Sequence, residues 1–140
     1  MEIIYYSDDC SAGCPAKQFL DKYKKGIEEN DKKRNFYKKF KSRIDIEAND
    51  LKGETRDPIS APIKGHTVKE IKITNKNKEI RLLYDCNKEE DKLILTNGFE
   101  KPYGSSNSKT KRDNERHYAT GDYYYQEYLK NKTKIKKYDF

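Results

Sequence analysis

The chain has 140 residues, a length typical of one domain with a single modest core. Charged residues make up 39% of it and hydrophobic residues 33%, and its formal net charge is +7. The 12 tyrosines and 5 phenylalanines supply the apolar surface that a disordered chain of this polarity would lack. The positive charge indicates an anionic partner, either nucleic acid or an acidic protein. A basic surface that serves only solubility would give the same net charge.

The sequence argues against a membrane protein and against a metal site. No run approaches the roughly 20 apolar residues of a membrane span, and the start of the chain lacks the basic and apolar regions of a signal peptide. We therefore expect a cytoplasmic protein with no membrane contact. Its cysteines, Cys10, Cys14 and Cys86, are expected to be reduced thiols. Because no Cys and His pair completes a zinc-like tetrahedron, no metal and no other cofactor is expected.

The first half of the chain predicts a strand followed by two helices. Residues 2–6 form a short apolar run that is typical of a strand. Apolar residues recur at helical spacing over residues 15–27 and again over residues 31–53. A short connection favours an antiparallel helical hairpin. Residues 53–67 contain two prolines and two glycines, which predict a loop.

The second half predicts a three-stranded meander and a closing helix. Residues 68–102 contain strand-length apolar runs separated by short polar connections. Asn107 or Ser108 caps the following helix, and Gly121 leaves open whether it is one helix or two short ones. Residues 131–140 are expected to be a flexible tail. The order β-α-α-β-β-β-α over residues 1–140 predicts a single α+β domain, with a small antiparallel-rich sheet, the helical hairpin on one face and the other face partly open.

Cations are embedded in the apolar strands of this meander. Strand alternation places the isoleucines of the first run on one face and Glu70 and Lys72 on the other. In the next run Arg81 projects with Leu83, away from Ile80 and Leu82, so we expect it on the same open face as Glu70 and Lys72. Lys101 lies at the end of the third run, where alternation does not give its direction. A cation that loses hydration needs an anionic partner. That partner is either a carboxylate in an ordinary cross-strand ion pair or a phosphate from outside.

A phosphate site would suit RNA cleavage by internal transesterification. This reaction needs a 2′-hydroxyl held in line with the phosphate, cations that stabilise the phosphorane and groups that move protons. Arg81 suits the phosphate because its planar guanidinium makes two bonds at once, and Lys101 supplies a point charge. Glu70 and Lys72 complete the candidate catalytic set. The candidate RNA-binding residues are cations and aromatic residues: Lys69, Tyr103, Lys109, Lys111, Arg112, His117 and Tyr118.

The same runs resemble a known family. The segments K-E-I-K-I, E-I-R-L-L-Y and L-I-L-T-N-G-F-E-K-P are similar to the second half of RelE/ParE-superfamily toxins, closest to the HigB-like, phage-related branch. The resemblance implies a RelE-like microbial ribonuclease fold and the toxin of a type II toxin–antitoxin system. It implies a metal-independent, ribosome-dependent endoribonuclease, an mRNA interferase, that leaves a 2′,3′-cyclic phosphate. The implied partners are mRNA, the ribosome and a cognate antitoxin, expected to be a helix-turn-helix DNA-binding protein.

The resemblance also implies roles for the embedded charges. By position, Arg81 matches the arginine that binds the scissile phosphate, and Lys101 matches a lysine that stabilises transition-state or leaving-group charge. Lys72 falls where the family often has arginine. Glu70 matches the family's acid, either as a general base or as the residue that orients Arg81.

Departures from the family pattern leave proton transfer open. Pro102 stands where the family has a second lysine, and neither His117 nor Tyr118 is a secure equivalent of its C-terminal catalytic residue. Two other functions therefore stay open. One is a ParE-like inhibitor of DNA gyrase, and the other is a non-enzymatic, basic RNA- or ribosome-binding module.

Overall fold

A six-stranded sheet forms the centre of the molecule, in a computed structural model that describes residues 1–8, 13–24, 31–75, 77–102, 104 and 107–140. The strands are β1 (Glu2–Tyr6), β2 (Ser60–Pro62), β3 (Lys69–Asn75), β4 (Lys78–Asn87), β5 (Lys92–Pro102) and β6 (Ile135–Lys137). The helices are α1 (Pro15–Lys24), α2 (Asp31–Asp45), which continues as a π-helical segment (Ile46–Asp50), and α3 (Ser108–Lys130). The predicted α+β class and the predicted order of the main elements are confirmed.

The strands lie in the order β2-β3-β4-β5-β1-β6. β1 runs parallel to β5, and the other neighbouring strands in the described residues pair antiparallel. The register between β4 and β5 shifts once, since Leu83 pairs with Asn97 whereas Tyr84 pairs with Leu95. Thr96 is therefore an extra residue, and such a bulge increases the local twist of the sheet. Beyond it, Glu79 faces Lys101 across the two strands.

Helices α1 and α2 cover one face of the sheet, as the apolar alternation predicts. The main core lies here and joins the isoleucines of β3 and β4 to Phe19, Leu20, Phe40 and Ile44. Gly98 is required at this face because a Cβ built on it would lie 2.2 Å from Cδ1 of Phe19. The ring of Phe19 therefore occupies the space above β5 that a larger residue would fill.

Helix α3 covers the second face, so the expectation that this face stays partly open is wrong. The physical reason is that this face of the sheet carries apolar residues, and Leu83 and Phe99 are buried on it. The helix has 23 residues and is capped by Asn107, whose side chain accepts a hydrogen bond from the backbone N–H of Thr110. Gly121 does not divide it, because this residue is buried where the helix lies close to the sheet, and a Cβ built on it would lie 2.9 Å from Oδ1 of Asn97. None of the described helices, α3 included, has the length and apolar character needed to cross a membrane.

The structure also orders two stretches predicted to be irregular. β2 lies within the predicted loop and pairs with β3. Residues 131–140 are not the flexible tail that the sequence predicts, because β6 pairs with β1 and Phe140 is only 3% exposed. The ring of Phe140 lies 5.5 Å from that of Phe40 and 4.7 Å from that of Tyr37, centroid to centroid. Pairing with β6 also covers an edge of β1 that would otherwise be unsatisfied.

Candidate functional site

Arg81 lies on the sheet face that α3 covers and is only 8% exposed. Its Nε lies 3.7 Å from Oε2 of Glu70 on β3, and its Nη2 lies 3.3 Å from Oε2 of Glu79 on β4. Its Nη1 donates a hydrogen bond to the Ile80 carbonyl at 3.1 Å. The expectation of an arginine projecting from an open face is therefore wrong. Once α3 removes water from this face, the guanidinium needs protein carboxylates to balance its charge.

Glu79 joins Arg81 to the second predicted cation. Lys101 is the cross-strand partner of Glu79, and its Nζ lies 3.1 Å from the same Oε2 that contacts Arg81. Two cations thus converge on one carboxylate oxygen. The sequence analysis missed Glu79, although strand alternation places residues 79 and 81 on one face and was a signal that could have found it.

Glu70 is held from the helix as well as from the sheet. The hydroxyl of Tyr118 on α3 donates a hydrogen bond to Oε2 of Glu70 at 3.2 Å. Burial and the nearby Glu70 carboxylate raise the pKa of Tyr118, so the phenol keeps its proton and stays a donor. The structure therefore brings together three of the four candidate catalytic residues, Glu70, Arg81 and Lys101, with Tyr118 beside them.

A cleft opens between the end of β5 and the first half of α3. Its volume is about 280 Å³, and it is lined by Phe99, Glu100, Lys101, Pro102, Thr110, Asp113, Asn114, Arg116 and His117. Lys101, whose side chain is 19% exposed, is one of the residues that line this cleft. Arg116, which the sequence analysis did not single out, is largely exposed and lies 3.9 Å from Asp113.

His117 lies at the wall of this cleft in a fixed orientation. Its ring stacks on Phe99 with the ring centroids 4.4 Å apart and an angle of 6° between the planes. Its carbonyl accepts a hydrogen bond from Nδ2 of Asn97 at 3.1 Å, which ties this turn of α3 to the sheet. Burial lowers the pKa of His117, and the charge of Asp113 offsets this only in part. The imidazole is therefore neutral near pH 7, the state in which it accepts a proton.

Two of the predicted cations lie away from this arrangement. Lys72 pairs across the strands with Arg81, but its Nζ reaches Oδ1 of Asp57 at 2.9 Å. Lys69 shares a face of β3 with Ile71 and Ile73, so it lies on the face opposite Arg81, where its Nζ donates to the Gly53 carbonyl at 2.9 Å. Lys72 is therefore no longer a candidate catalytic residue, and Lys69 is no longer a candidate RNA-binding residue.

Three of the remaining predicted RNA-binding residues lie at the start of α3. Lys109, Lys111 and Arg112 are exposed on its first turns and flank the cleft without lining it. Tyr103 lies outside the described residues. The basic start of this helix carries no acidic residue in its first turn, so its positive end and its cations add to the positive field beside the cleft.

The described residues contain no group of three or more His, Cys, Asp or Glu side chains arranged to hold a metal ion. Cys14 and Cys86 are free thiols, whereas Cys10 lies outside the described residues. Burial raises the pKa of Cys86 to about 11, so this thiol stays protonated and unreactive near pH 7. Chemistry without a metal remains a prediction from the sequence.

Comparisons of the chain with protein-family models, with curated proteins and with solved structures find no match. The resemblance to RelE-like toxins therefore depends on the sequence of the chain itself, in which the specific motifs lie in residues 68–102. What the structure establishes is an α+β fold with a mostly antiparallel sheet and helices on both of its faces. The RelE-like architecture stays a prediction.

Proposed function

We propose that the cleft beside Lys101 binds RNA and that the protein is a metal-independent endoribonuclease, acting as the toxin of a type II toxin–antitoxin pair. One observation carries the proposal. Arg81 and Lys101 converge on a single carboxylate oxygen, and Lys101 and a neutral His117 line the adjoining cleft. This combines a cationic position for a phosphate with a proton acceptor, and internal transesterification needs both.

The proposed reaction uses the 2′-hydroxyl of the RNA as the nucleophile. A ring nitrogen of His117 takes the hydroxyl proton while the O2′–P bond forms. The P–O5′ bond then breaks, the departing oxygen takes a proton from water, the hydroxide that remains takes the proton from His117, and a 2′,3′-cyclic phosphate is left. Lys101 and Arg81 stabilise the added negative charge of the phosphorane. Phe99 holds the imidazole by stacking, so that little reorganisation is needed during proton transfer.

The exposed cations at the start of α3 would guide the RNA chain. Lys109, Lys111, Arg112 and Arg116 lie on the helix that forms one side of the cleft. Their attraction for phosphates does not depend on sequence and weakens as salt rises. Cleavage on the ribosome and neutralisation by an antitoxin follow from the resemblance in residues 68–102. An antitoxin that masks this cleft would present acidic or apolar groups to it.

A second candidate function is RNA or ribosome binding without cleavage. The pairing of Arg81 with both Glu70 and Glu79 favours it, because a buried arginine between two carboxylates is well suited to a purely structural role. In that case Lys101 and Arg116 would be binding residues only. The two candidates differ in one measurable property, the breakage of the RNA chain.

The test combines purified protein, translating ribosomes and a reporter mRNA, followed by mapping of RNA 5′ ends. Lys101→Ala and His117→Ala should each lower the cleavage rate by about 100-fold or more, since both act on the reacting groups. Lys130→Ala is the matched control, because it removes a cation from the far end of the same helix and should leave the rate unchanged. Undiminished cleavage by both site variants would refute the assignment. Tight binding by the wild type without any new 5′ ends would favour the second candidate.

A further inference from the structure

Glu79 is placed as a phosphate would be. Its Oε2 receives both Nη2 of Arg81 at 3.3 Å and Nζ of Lys101 at 3.1 Å. Convergence of an arginine and a lysine on one anionic oxygen is how proteins commonly hold a phosphate oxygen. The carboxylate of Glu79 and an RNA phosphate would therefore compete for one position.

Arg81 does not need Glu79 to keep its orientation. Glu70 contacts its Nε, and the Ile80 carbonyl accepts from its Nη1 at 3.1 Å. Glu70 is itself held by the hydroxyl of Tyr118. If the carboxylate of Glu79 moved away, the guanidinium would stay in place beside Lys101, ready for another anion.

The net charge of the cluster determines when a phosphate can bind between the two cations. Glu70, Glu79, Arg81 and Lys101 sum to zero formal charge while all four are together. A phosphate that approaches the intact cluster gains little, because Glu79 repels it from the position between the cations. Once that carboxylate leaves, the remaining three groups carry a net positive charge and attract the phosphate.

The position of Glu79 in the fold allows such a movement. It is the second residue of β4, next to the turn from β3, and its side chain is 19% exposed. Its backbone pairs with Thr74 on one side and Lys101 on the other. Rotation about the side-chain bonds can therefore carry the carboxylate toward solvent without breaking the strand pairing.

We propose that Glu79 is an internal substitute for the substrate phosphate, which closes the anion position between Arg81 and Lys101 until an RNA phosphate displaces it. This inference rests on the proposed function, since it assigns a gate to the same RNA site. It makes Glu79 a positioning residue, because it contacts the two cations and leaves when the substrate arrives.

The test measures binding of a fluorescent 2′-O-methyl decauridylate, which cannot be cleaved because its 2′-oxygens are blocked. Fluorescence anisotropy at low salt compares wild type with Glu79→Gln and Glu89→Gln. Both variants lose one negative charge, but Glu89 lies beyond the opposite end of β4, roughly 30 Å away. Glu79→Gln should bind about tenfold tighter than wild type, whereas Glu89→Gln should change affinity by less than about twofold.

Equal affinities of the two variants would overturn the role of Glu79. The proposed function fails separately if Lys101→Met binds the oligonucleotide as tightly as wild type does. A measurement on the wild type keeps the inference testable should Glu79→Gln fail to fold. In protein with ¹³C-labelled glutamate carboxyl groups, the oligonucleotide should shift the Glu79 resonance and leave that of Glu89 in place, and an unmoved Glu79 resonance at saturation would count against displacement.

Discussion

Tyr118 on α3 donates a hydrogen bond to Glu70 on β3, and this bond ties the helix to the carboxylate beside Arg81. Helix α3 is therefore held on the second face of the sheet by a specific hydrogen bond as well as by apolar packing. The same turn of α3 supplies His117 to the cleft. Through this bond, the stability of the helix and the position of Arg81 depend on each other.

Tyr118→Phe should lower the free energy of unfolding by about 1–2 kcal/mol, because a hydrogen bond to a partly buried carboxylate is lost. Urea denaturation measures the change. Tyr123→Phe is the matched control on the same helix, since Tyr123 is 60% exposed. If both variants lose the same stability, the bond to Glu70 contributes nothing.

The pH dependence of RNA cleavage should reveal the state of His117. Burial lowers its pKa below the ordinary value of 6.5, so the neutral base is fully formed above that pH. We expect the cleavage rate to rise with pH below 6.5 and to level off above it. Single-turnover rates from pH 5 to pH 8 measure this profile, and a rate that is flat through the acid range would exclude His117 as the base.

His66 should stabilise the fold most at acid and neutral pH. Burial alone would lower its pKa, but hydrogen bonds to Glu115 and Asp122 outweigh this effect and raise the pKa above 6.5. Because the folded state holds the proton more tightly, the stabilisation is complete below pH 6.5 and is lost as pH rises through the raised pKa. Denaturation of wild type and His66→Gln between pH 5 and pH 9 should therefore show their difference shrinking toward alkaline pH.

His117→Gln serves as the contrasting variant for that series. The pKa of His117 is lowered in the folded state, so its protonation favours the unfolded chain. Its contribution to stability should therefore decrease as pH falls, opposite in sign to that of His66. If the two variants gave the same pH trend, the assigned pKa directions would be wrong.

Gly98→Ala should destabilise the protein by about 1–3 kcal/mol, because the added methyl group overpacks the core. Its Cβ would lie 2.2 Å from Cδ1 of Phe19. Phe19→Leu alone removes part of the ring contact, and in that background the added methyl group should cost less. A double-mutant cycle by urea denaturation measures this coupling, and strictly additive effects would contradict the proposed clash.

Phe140→Ala should lower the free energy of unfolding by about 3 kcal/mol, as expected for removal of a buried ring. The ring is 3% exposed and packs on Tyr37 and Phe40. Lys137→Ala, an exposed change in the neighbouring strand β6, should have little effect. A negligible loss in Phe140→Ala would restore the prediction of a flexible tail.

The strand patterns of residues 68–102 could be read without a structure, because alternation is a local property of an extended backbone. It assigned the isoleucines to the main core and placed Glu70 and Arg81 together on the other face, and both assignments hold. The partner of Lys101 was not predicted. That partner depends on how β4 and β5 pair across a bulge, which brings Glu79 opposite Lys101.

By itself, the sequence determined the α+β class, the three central strands and the shared face of Glu70 and Arg81. Only the tertiary structure decided whether those charges meet solvent, a phosphate or a carboxylate. The physical reason is that exposure depends on segments distant in the chain. Helix α3 closes the second face because Leu83 and Phe99 make it too apolar to leave open, and under that cover Arg81 takes Glu70 and Glu79 as its partners.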